Sequence, residues 1–487
     1  MTIERSVIWT TAQFVAVILI ELIGLSVIAR ILTPTDFGIY AAAFALFQLG
    51  RFLGQFGLHA VIMRATTIDV AMRREVVAII VVTSSVVVCA FYLGVLTATS
   101  LFPSPDSARL LFWMAPLIPL TTFAMSGHAV LQRNLRFQTL FFARVGITLV
   151  YSAVAITLAT MGWGADSLLF ALLASALVSV VTMSYLSGWT FVILPSFRRF
   201  GSSTKFASVV FATTASDQLA LAAVPLLIGR LLDAATLGVF SRANDIVQQS
   251  RRIVQETILP VILPHAFHVV REGRDLRPMF LDTLAYTTLL AWPAAGLMFA
   301  AANPLIAILL GPQWGDVPLV LQILAVGLVV FPLVATARVF ILAVEREVIL
   351  FVQTLIASLA TIAVVALTAR FGLAAVATGI VVVQAIQMLA VMSIAMREMA
   401  VPLKDFARAL SPSAAILIAV TAPTYWIGRI ESAVISENLI ALGTAIAMAA
   451  VLWLASIFIF RHRAAPRIVA LGTETMSLLI PKRTPKT

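Results

Sequence analysis

The chain has 487 residues, of which 61% are hydrophobic and only 11% are charged, and its mean hydropathy is +1.04. A soluble domain is roughly 45–50% apolar and about 25% charged, and a single core could not bury this much apolar surface. The composition excludes a soluble globular enzyme, a disordered chain and a nucleic-acid-binding protein. It indicates a polytopic membrane protein.

Continuous apolar segments of about 20 residues, long enough to cross a bilayer as helices, recur along the whole chain. Membrane strands would instead alternate apolar and polar residues over about 10 positions, so we predict an all-α protein with about 14 transmembrane helices. The first segment exceeds the roughly 7–15 apolar residues of a signal peptide, and we expect it to be retained. The segments lie at residues 7–28, 39–62, 76–101, 110–131, 140–161, 168–194, 206–228, 237–263, 280–302, 317–344, 348–367, 373–395, 407–427 and 438–460.

The basic residues are distributed unevenly between the two sides of these segments. If the chain starts inside and alternates, 23 Lys and Arg residues fall on the inside and only five on the outside. Cytoplasmic loops of membrane proteins collect Lys and Arg, so the net charge of +11 reflects topology. The sequence predicts an even number of helices and two cytoplasmic termini.

An internal repeat appears when the sequence is shifted by 200 residues. Residues 29–56 then align without gaps with residues 229–256, and seven of 28 positions are identical, among them Gly38/Gly238 and Arg51/Arg251. An offset of six helices keeps the orientation, so we predict parallel repeats of the kind found in transporters. The predicted architecture is two six-helix lobes around a central cavity, plus two C-terminal helices.

Polar side chains form stripes on two of the predicted helices. A charge inside the hydrocarbon is expensive and usually faces the bundle interior or a wet cavity. We therefore predict that these stripes line the cavity, although Arg242 with Asp245 and Arg252 with Glu256 could instead be ordinary ion pairs along one helix. The predicted cavity residues are Arg51, Arg242, Arg251, Arg252, Gln48, Gln55, Gln248 and Gln255, and His59, Gln249 and Glu256 lie on the same stripes.

Two carboxylates lie deep inside other predicted helices. Glu21 and Asp217 are about 14 and 11 residues into their segments, which places them roughly 16–21 Å from the membrane surface at 1.5 Å per residue. A buried carboxylate at this depth is a candidate for carrying a coupling proton or Na⁺. A purely structural role is the alternative.

Sequence signatures of catalysis and of nucleotide use do not occur. The chain has no phosphate-binding G-x-x-x-x-G-K-[ST], no H-E-x-x-H and no G-x-S-x-G, the motifs that carry nucleotide, zinc-protease and hydrolase chemistry. The single cysteine, Cys89, forms no internal disulfide and no cysteine-cluster metal site. We therefore expect neither an enzyme nor a cofactor, a metal site or direct use of ATP.

Five segments carry a resemblance to a known family, in this order along the chain: "ARILTPTDFGIYAAAFALFQL", "FGLHAVIMR", "VLQRNLRFQ", "LGVFSRANDI" and "LLGPQW". They resemble the bacterial polysaccharide flippases of the Wzx type, which belong to the multidrug/oligosaccharidyl-lipid/polysaccharide exporter superfamily. The resemblance extends to about residue 460. It implies lobes at residues 1–200 and 201–405, and two extra helices with a basic cytoplasmic tail at 406–487.

The same resemblance implies the function. The substrate would be an undecaprenyl-diphosphate-linked oligosaccharide, moved by alternating access from the cytoplasmic to the periplasmic leaflet of the bacterial inner membrane for surface polysaccharide synthesis. Membrane lipid, a polysaccharide polymerase and chain-length machinery are the implied partners. Arginine is suited to bidentate phosphate binding, and the Gln residues could line a polar cavity for the sugars.

Two other transporters of the superfamily are alternatives. A drug/cation antiporter would have a cavity dominated by carboxylates and aromatic residues, which the repeated Arg51/Arg251 pair argues against. A peptidoglycan-precursor flippase is closer, but the N-terminal signature resembles the capsule and O-antigen group more. A membrane polymerase or glycosyltransferase would need a larger outside loop or a metal motif.

Overall fold

The computed structural model describes residues 3–55, 58, 62–63, 69–97, 102–188, 204–428 and 435–460. Within these ranges the regular elements are helices, with no strand. The α-helices are α1 (Ile3–Ile31), α2 (Pro34–Gln55), α3 (Val70–Thr97), α4 (Pro105–Met114), α5 (Leu117–Arg133), α6 (Phe137–Thr160), α7 (Ala165–Ser187), α8 (Thr204–Leu231), α9 (Ala234–Ile253), α10 (Leu259–Arg271), α11 (Arg277–Ala300), α12 (Ala302–Leu309), α13 (Val317–Ala343), α14 (Glu347–Thr368), α15 (Leu373–Glu398), α16 (Leu403–Gly428) and α17 (Ile435–Ile459). A π-helical turn (Val254–Ile258) joins α9 to α10, and 3-10 turns lie at Pro312–Trp314 and Ala369–Phe371.

These helices overlap all fourteen predicted apolar segments. Eleven of the described helices are long and apolar enough to cross a membrane, or twelve if α4 and α5, which are bent by 45°, form one span. The polar face of α9 keeps that helix out of the set. The prediction of an all-α membrane protein is confirmed, and the count of fourteen stays a prediction.

Helix packing divides the chain into two compact units. Unit 1 comprises Met1–Asp245, Ile306–Val320 and Glu347–Val383, and unit 2 comprises Ile246–Leu305, Leu321–Arg346 and Gln384–Thr487. Each has a core of its own, around Phe123 and Leu131 in unit 1 and around Ile416 and Val420 in unit 2. The predicted lobes follow the sequence repeat and not this packing, so their boundaries stay a prediction.

The repeats begin α2 and α9 with the same two capping side chains in opposite order. Before α2, the backbone N–H of Thr33 donates to Asp36 Oδ2 over 2.9 Å, and the Asp36 N–H donates to Thr33 Oγ1 over 3.2 Å. Before α9, the Thr236 N–H donates to Asp233 Oδ1 over 2.7 Å. Each arrangement satisfies N–H groups that the first helical turn leaves free, so the chain enters both helices in the same way.

The repeat continues beyond the predicted segments, with an offset of 210 residues. Leu135 and Glu345 both have a positive φ, of 54° and 59°, and Gly162 and Gly372 have φ of 84° and 91°. A positive φ is rare for Leu and Glu, so its recurrence at equivalent positions, after α5 and α13, shows that the two turns are related.

The N-terminal ends of α2 and α9 meet in unit 1 through a reciprocal glycine contact. A Cβ on Gly38 would overlap the carbonyl oxygen of Ala234, and a Cβ on Gly238 would overlap the carbonyl oxygen of Pro34. Residues 34 and 234 are themselves equivalent in the repeat. Only glycine allows this backbone approach, so the two glycines that the repeat pairs in sequence are also paired in space.

The buried side chain of Trp314 contacts α1 and α2 at the same end of unit 1. This is the end predicted to be periplasmic. Trp314 Nε1 donates to the carbonyl oxygen of Ala29 over 2.9 Å, and its ring meets Phe37 edge-on at 5.3 Å. Arg30 Nη2 donates to the carbonyl oxygen of Ile308 over 2.8 Å. These donors satisfy carbonyls at the C-terminal ends of α1 and α12, and they tie the segment after α12 to the first turn of α2.

Candidate substrate-binding site

Arg51 lies on the polar face of α2, in unit 1, with Gln48 and Gln55 one turn to either side. All three side chains are half-buried, and Gln48 Oε1 is buried without a hydrogen-bond partner. No carboxylate among the described residues lies within 4 Å of the Arg51 guanidinium. A cation and two amides on one helix face can bind an anionic or sugar-bearing ligand.

A second arginine, Arg144 on α6, accompanies Arg51. The two guanidinium groups are close enough to interact electrostatically. Sequence reasoning counted Arg144 as a cytoplasmic loop charge, although it lies four residues inside the segment 140–161. That depth was the signal that could have identified it.

Arg251, the repeat equivalent of Arg51, lies in unit 2 with different neighbours. Its Nη2 donates to Gln384 Oε1 over 3.3 Å, and its guanidinium carbon lies 5.1 Å from the centre of the Phe331 ring. Its Nε is buried without a partner, so the side chain is held in place while keeping a donor free. Neither Gln384 nor Phe331 was predicted. Since Arg51 and Arg251 belong to separate units, their placement across one cavity stays a prediction.

Arg242, near the start of α9, forms an ion pair and a cation–π contact. Its Nη2 lies 2.8 Å from Asp245 Oδ2, and the side chain is only 13% exposed. Its guanidinium carbon lies 4.5 Å from the centre of the Phe37 ring. The structure thus gives Arg242 the ion pair that sequence reasoning kept as the alternative, together with a cation–π contact beside the glycine contact.

A tyrosine pair joins α2 to α6 in the same unit. The hydroxyl groups of Tyr40 and Tyr151 are hydrogen-bond partners, and Arg242 and Asp245 lie within electrostatic reach of both. Glu21, on α1, interacts with Tyr151. The predicted coupling residue therefore belongs to a polar cluster of four helices, whereas Asp217 lies half-buried on α8.

The remaining predicted residues lie in the C-terminal half of α9 and in the π-helical turn after it. Arg252 and Gln255 are exposed, and Gln248 is half-buried. The π-helical turn begins at Val254, so the regular spacing behind the predicted stripe ends there. Such turns occur often at functional sites. His59 and the side chain of Glu256 lie outside the described residues.

The fold is shared with membrane flippases and exporters. The structure of lipid II flippase MurJ in its inward closed conformation matches with a TM-score of 0.73 at 14% identity, covering 93% of this chain and 98% of that one. An inward-facing multidrug resistance MATE family transporter of the MOP superfamily matches with a TM-score of 0.57 at 16% identity, covering 82% and 95%. These two likenesses show that the chain has the fold of these membrane proteins.

Sequence comparison then gives the family. A family model described as polysaccharide biosynthesis protein matches residues 27–319, and the chain belongs to this family. The succinoglycan biosynthesis transport protein ExoT of Rhizobium meliloti (strain 1021) is 26% identical over 371 residues, 75% of this chain and 74% of that protein. The resemblance to polysaccharide flippases is confirmed, and the chain is a membrane flippase or exporter and not an enzyme.

Proposed function

We propose that the protein moves an undecaprenyl-diphosphate-linked oligosaccharide from the cytoplasmic to the periplasmic leaflet, for synthesis of a surface polysaccharide. The observation that carries this proposal is the pair of half-buried arginines, Arg51 and Arg251, inside membrane helices. Neither has a carboxylate within 4 Å among the described residues, so both can serve an anionic ligand. The family and the named transport role of ExoT agree with it.

The sugar and lipid parts of such a substrate need different surroundings. Gln48, Gln55, Gln248 and Gln255 offer amides to the sugar hydroxyls, and Arg252 offers a further cation. The polyprenyl tail can stay in the surrounding lipid, because burying it there costs no apolar exposure. Polysaccharide polymerase and chain-length proteins would receive the product.

The glycine contact and the Trp314 contacts suggest how the periplasmic end would work. The glycine contact joins equivalent parts of the two repeats through short backbone approaches, and the Trp314 side chain donates to the Ala29 carbonyl beside it. Alternating access requires that such contacts open and close, so release of the substrate would separate α2 from α9 at Gly38 and Gly238.

Transport in proteoliposomes tests the proposal. A fluorescent, polyprenyl-diphosphate-linked oligosaccharide is placed in both leaflets, and an impermeant quencher reports how fast the inner-leaflet pool becomes accessible. We expect the unchanged chain to accelerate this exchange and the Arg51→Gln, Arg251→Gln double variant to return it to the protein-free rate. Acceleration of a fluorescent organic cation instead would favour the drug antiporter. Transport of a lipid-linked peptidoglycan precursor but not of other oligosaccharides would favour the precursor flippase.

Orientation in the inner membrane is tested separately. We propose that both termini are cytoplasmic, on the distribution of basic residues. Reporter fusions after Arg74, Arg274 and the C-terminus should report cytoplasm, and fusions near Asp106 and Asp316 should report periplasm. A periplasmic C-terminus would contradict the even number of helices.

A further inference from the structure

We propose that the loop at residues 311–314 is a latch that holds the predicted periplasmic end of unit 1 closed, whereas the equivalent loop of the first repeat, residues 102–104, lies against the equivalent helix end without latching it. The inference rests on the alternating access in the proposed function, and it names the contact that must be released for this end to open. Three observations carry it: the placement of the two loops, the hydrogen bonds that only one of them makes, and a ring contact from that loop to α2.

The two loops lie against equivalent helix ends, each in the opposite repeat. The 210-residue offset that relates the turns after α5 and α13 makes residues 103 and 104 equivalent to residues 313 and 314, with an aspartate at both 106 and 316. Gln313 and Trp314 contact the carbonyl of Ala29, near the end of α1. A Cβ on Gly229, near the end of α8, would lie 2.5 Å from Pro103 Cγ. Residues 29 and 229 are equivalent in the repeat, so each repeat places its loop on the first helix of the other.

The helix ends beneath the two loops have the same geometry. Residues 32 and 232 are both leucines, and each N–H donates to the carbonyl oxygen four residues earlier over 2.9 Å. The carbonyl of residue 29 or 229 follows in the last turn, where a helix has no further N–H to offer it. Both helix ends therefore present the same carbonyl to the loop beside them, and the difference between the two closures comes from the loops.

Among the described residues, only the loop of the second repeat donates its side chains to this carbonyl. Trp314 Nε1 and Gln313 Nε2 donate to the Ala29 oxygen over 2.9 and 2.6 Å. The equivalent residues of the first repeat are Pro103, which has no donor, and Ser104, whose hydroxyl caps the N-terminus of α4. The first loop thus packs against its helix end, and the second is also hydrogen-bonded to it.

The end of α1 donates back to the segment that carries the latch. Arg30 Nη2 donates to the carbonyl oxygen of Ile308, in the last turn of α12, over 2.8 Å, and Ser26 Oγ donates to the same oxygen over 3.4 Å. Gly311 begins the loop with a φ of 97°, which glycine adopts without strain. This turn brings the chain from α12 back onto α1, so hydrogen bonds run in both directions across the closure.

The Trp314 ring connects the latch to the reciprocal glycine contact. It is fully buried and meets the Phe37 ring edge-on at 5.3 Å. The Phe37 ring also carries the Arg242 guanidinium, whose carbon lies 4.5 Å from the ring centre. Phe37 and Arg242 belong to α2 and α9, the helices that meet at Gly38 and Gly238. Release of the latch would therefore remove support from both helices at the contact that has to open.

Thiol labelling of a reporter cysteine tests the inference on the full chain. Cys89→Ser removes the natural cysteine, and Ala42→Cys places a thiol on α2 one turn further in than Gly38, at a fully buried position on the same face. A membrane-impermeant maleimide is applied to right-side-out and to inside-out membrane vesicles. The intact latch should keep labelling slow in the right-side-out vesicles, which present the predicted periplasmic face.

Two variants weaken the latch and two serve as controls. Trp314→Phe keeps a ring but loses the N–H, and Gln313→Leu removes the amide. Each should speed labelling from the predicted periplasmic side about fivefold, the size of one net hydrogen bond. Pro103→Ala changes the other loop, and Trp163→Phe makes the tryptophan change in the turn before α7. Both controls should stay within about twofold of the unchanged rate, because neither removes a hydrogen bond of the latch.

Three results would overturn the latch. The first is an unchanged labelling rate in Trp314→Phe, and the second is an equal acceleration in Pro103→Ala. The third is an equal acceleration in inside-out vesicles, which would show general loosening of the fold. If Trp314→Phe does not reach the membrane, Gln313→Leu decides alone, because Gln313 is exposed and its amide can be removed without disturbing the buried ring.

This measurement is independent of the substrate. No lipid-linked oligosaccharide is present during labelling, whereas the proteoliposome experiment measures exchange of that substrate and nothing else. A wrong latch therefore appears as unchanged labelling with normal exchange, and a wrong substrate class appears as absent exchange with latch-dependent labelling.

Discussion

Arg51 and Arg251 occupy equivalent places in the two repeats, yet their surroundings differ. Arg51 has another arginine, Arg144, within electrostatic reach, whereas Arg251 donates to the Gln384 amide and lies over the Phe331 ring. The first environment concentrates positive charge, and the second orients a single cation. Two arginines that the repeat makes equivalent therefore have different electrostatic surroundings.

At the N-terminal ends of α2 and α9 the two repeats are alike. There the glycine contact is reciprocal, and even the capping side chains correspond, although their order is exchanged. The repeats have kept the backbone contact and diverged in the side chains nearer the predicted cytoplasmic end. This pattern agrees with the proposed function, in which a symmetric contact would open for an asymmetric substrate.

The largest expected effect comes from the symmetric contact. Gly38→Ala and Gly238→Ala each place a Cβ where a carbonyl oxygen now lies, and backbone cannot yield as a side chain can. Both should abolish export to a similar extent in a deletion strain, measured against membrane abundance. Gly94→Ala is the control, because its Cβ would meet nothing within 4 Å. Loss of export in one glycine variant only would show that the contact is not used reciprocally.

The next effect concerns the arginines themselves. Arg51→Lys and Arg251→Lys keep the charge but lose the planar fork, so each should reach the membrane and lose most polysaccharide export. Adding Arg144→Lys to Arg51→Lys should weaken export further. Adding Thr354→Ser should not, although residue 354 is the equivalent of residue 144 under the 210-residue offset. Normal export by the Lys variants would rule out bidentate phosphate binding, and disappearance of the protein would favour a structural role.

Glu21 and Asp217 also differ between the two repeats. In the 200-residue alignment Glu21 corresponds to Leu221, and Asp217 to Val17, so each acid is present in one repeat only. If a gradient drives transport, Glu21→Gln with Asp217→Asn should remove the response to an imposed proton or Na⁺ gradient while leaving slow exchange. Full gradient-driven transport in this double variant would exclude both residues from coupling.

The smallest effect is expected at the residues that orient Arg251. Gln384→Leu removes one hydrogen bond of 3.3 Å, and Phe331→Leu removes a cation–π contact, each worth about 0.5–2 kcal/mol. Transport should fall several-fold, less than in Arg251→Lys. If either variant is as inactive as Arg251→Lys, that residue contacts the substrate directly.

Much of this architecture can be predicted from the sequence. The length of each apolar segment and the identities between the two repeats can both be read directly from the chain. Each of the fourteen apolar segments overlaps a described helix, and the Gly38/Gly238 identity identified the repeat whose two copies meet at these glycines. The contacts of the arginines could not be predicted from the sequence. Gln384 is 133 residues from Arg251, and pairing across such a distance depends on how helices are arranged, which spacing along one helix cannot give. Arg144 was not predicted as a site residue, because a basic residue near the end of a membrane span is equally well explained by the excess of Lys and Arg on the cytoplasmic side.

The reciprocal contact of Gly38 and Gly238 also bears on the ancestry of the chain. A contact in which residue 34 meets 238 while 234 meets 38 is isologous, the arrangement that two identical subunits adopt about a twofold axis. A half-length ancestor could make this contact with a second copy of itself, in the parallel orientation that the present repeats keep. Fusion of two such genes would leave the contact intact and release the two copies of each remaining position to diverge independently, as Arg144 and Thr354 have done.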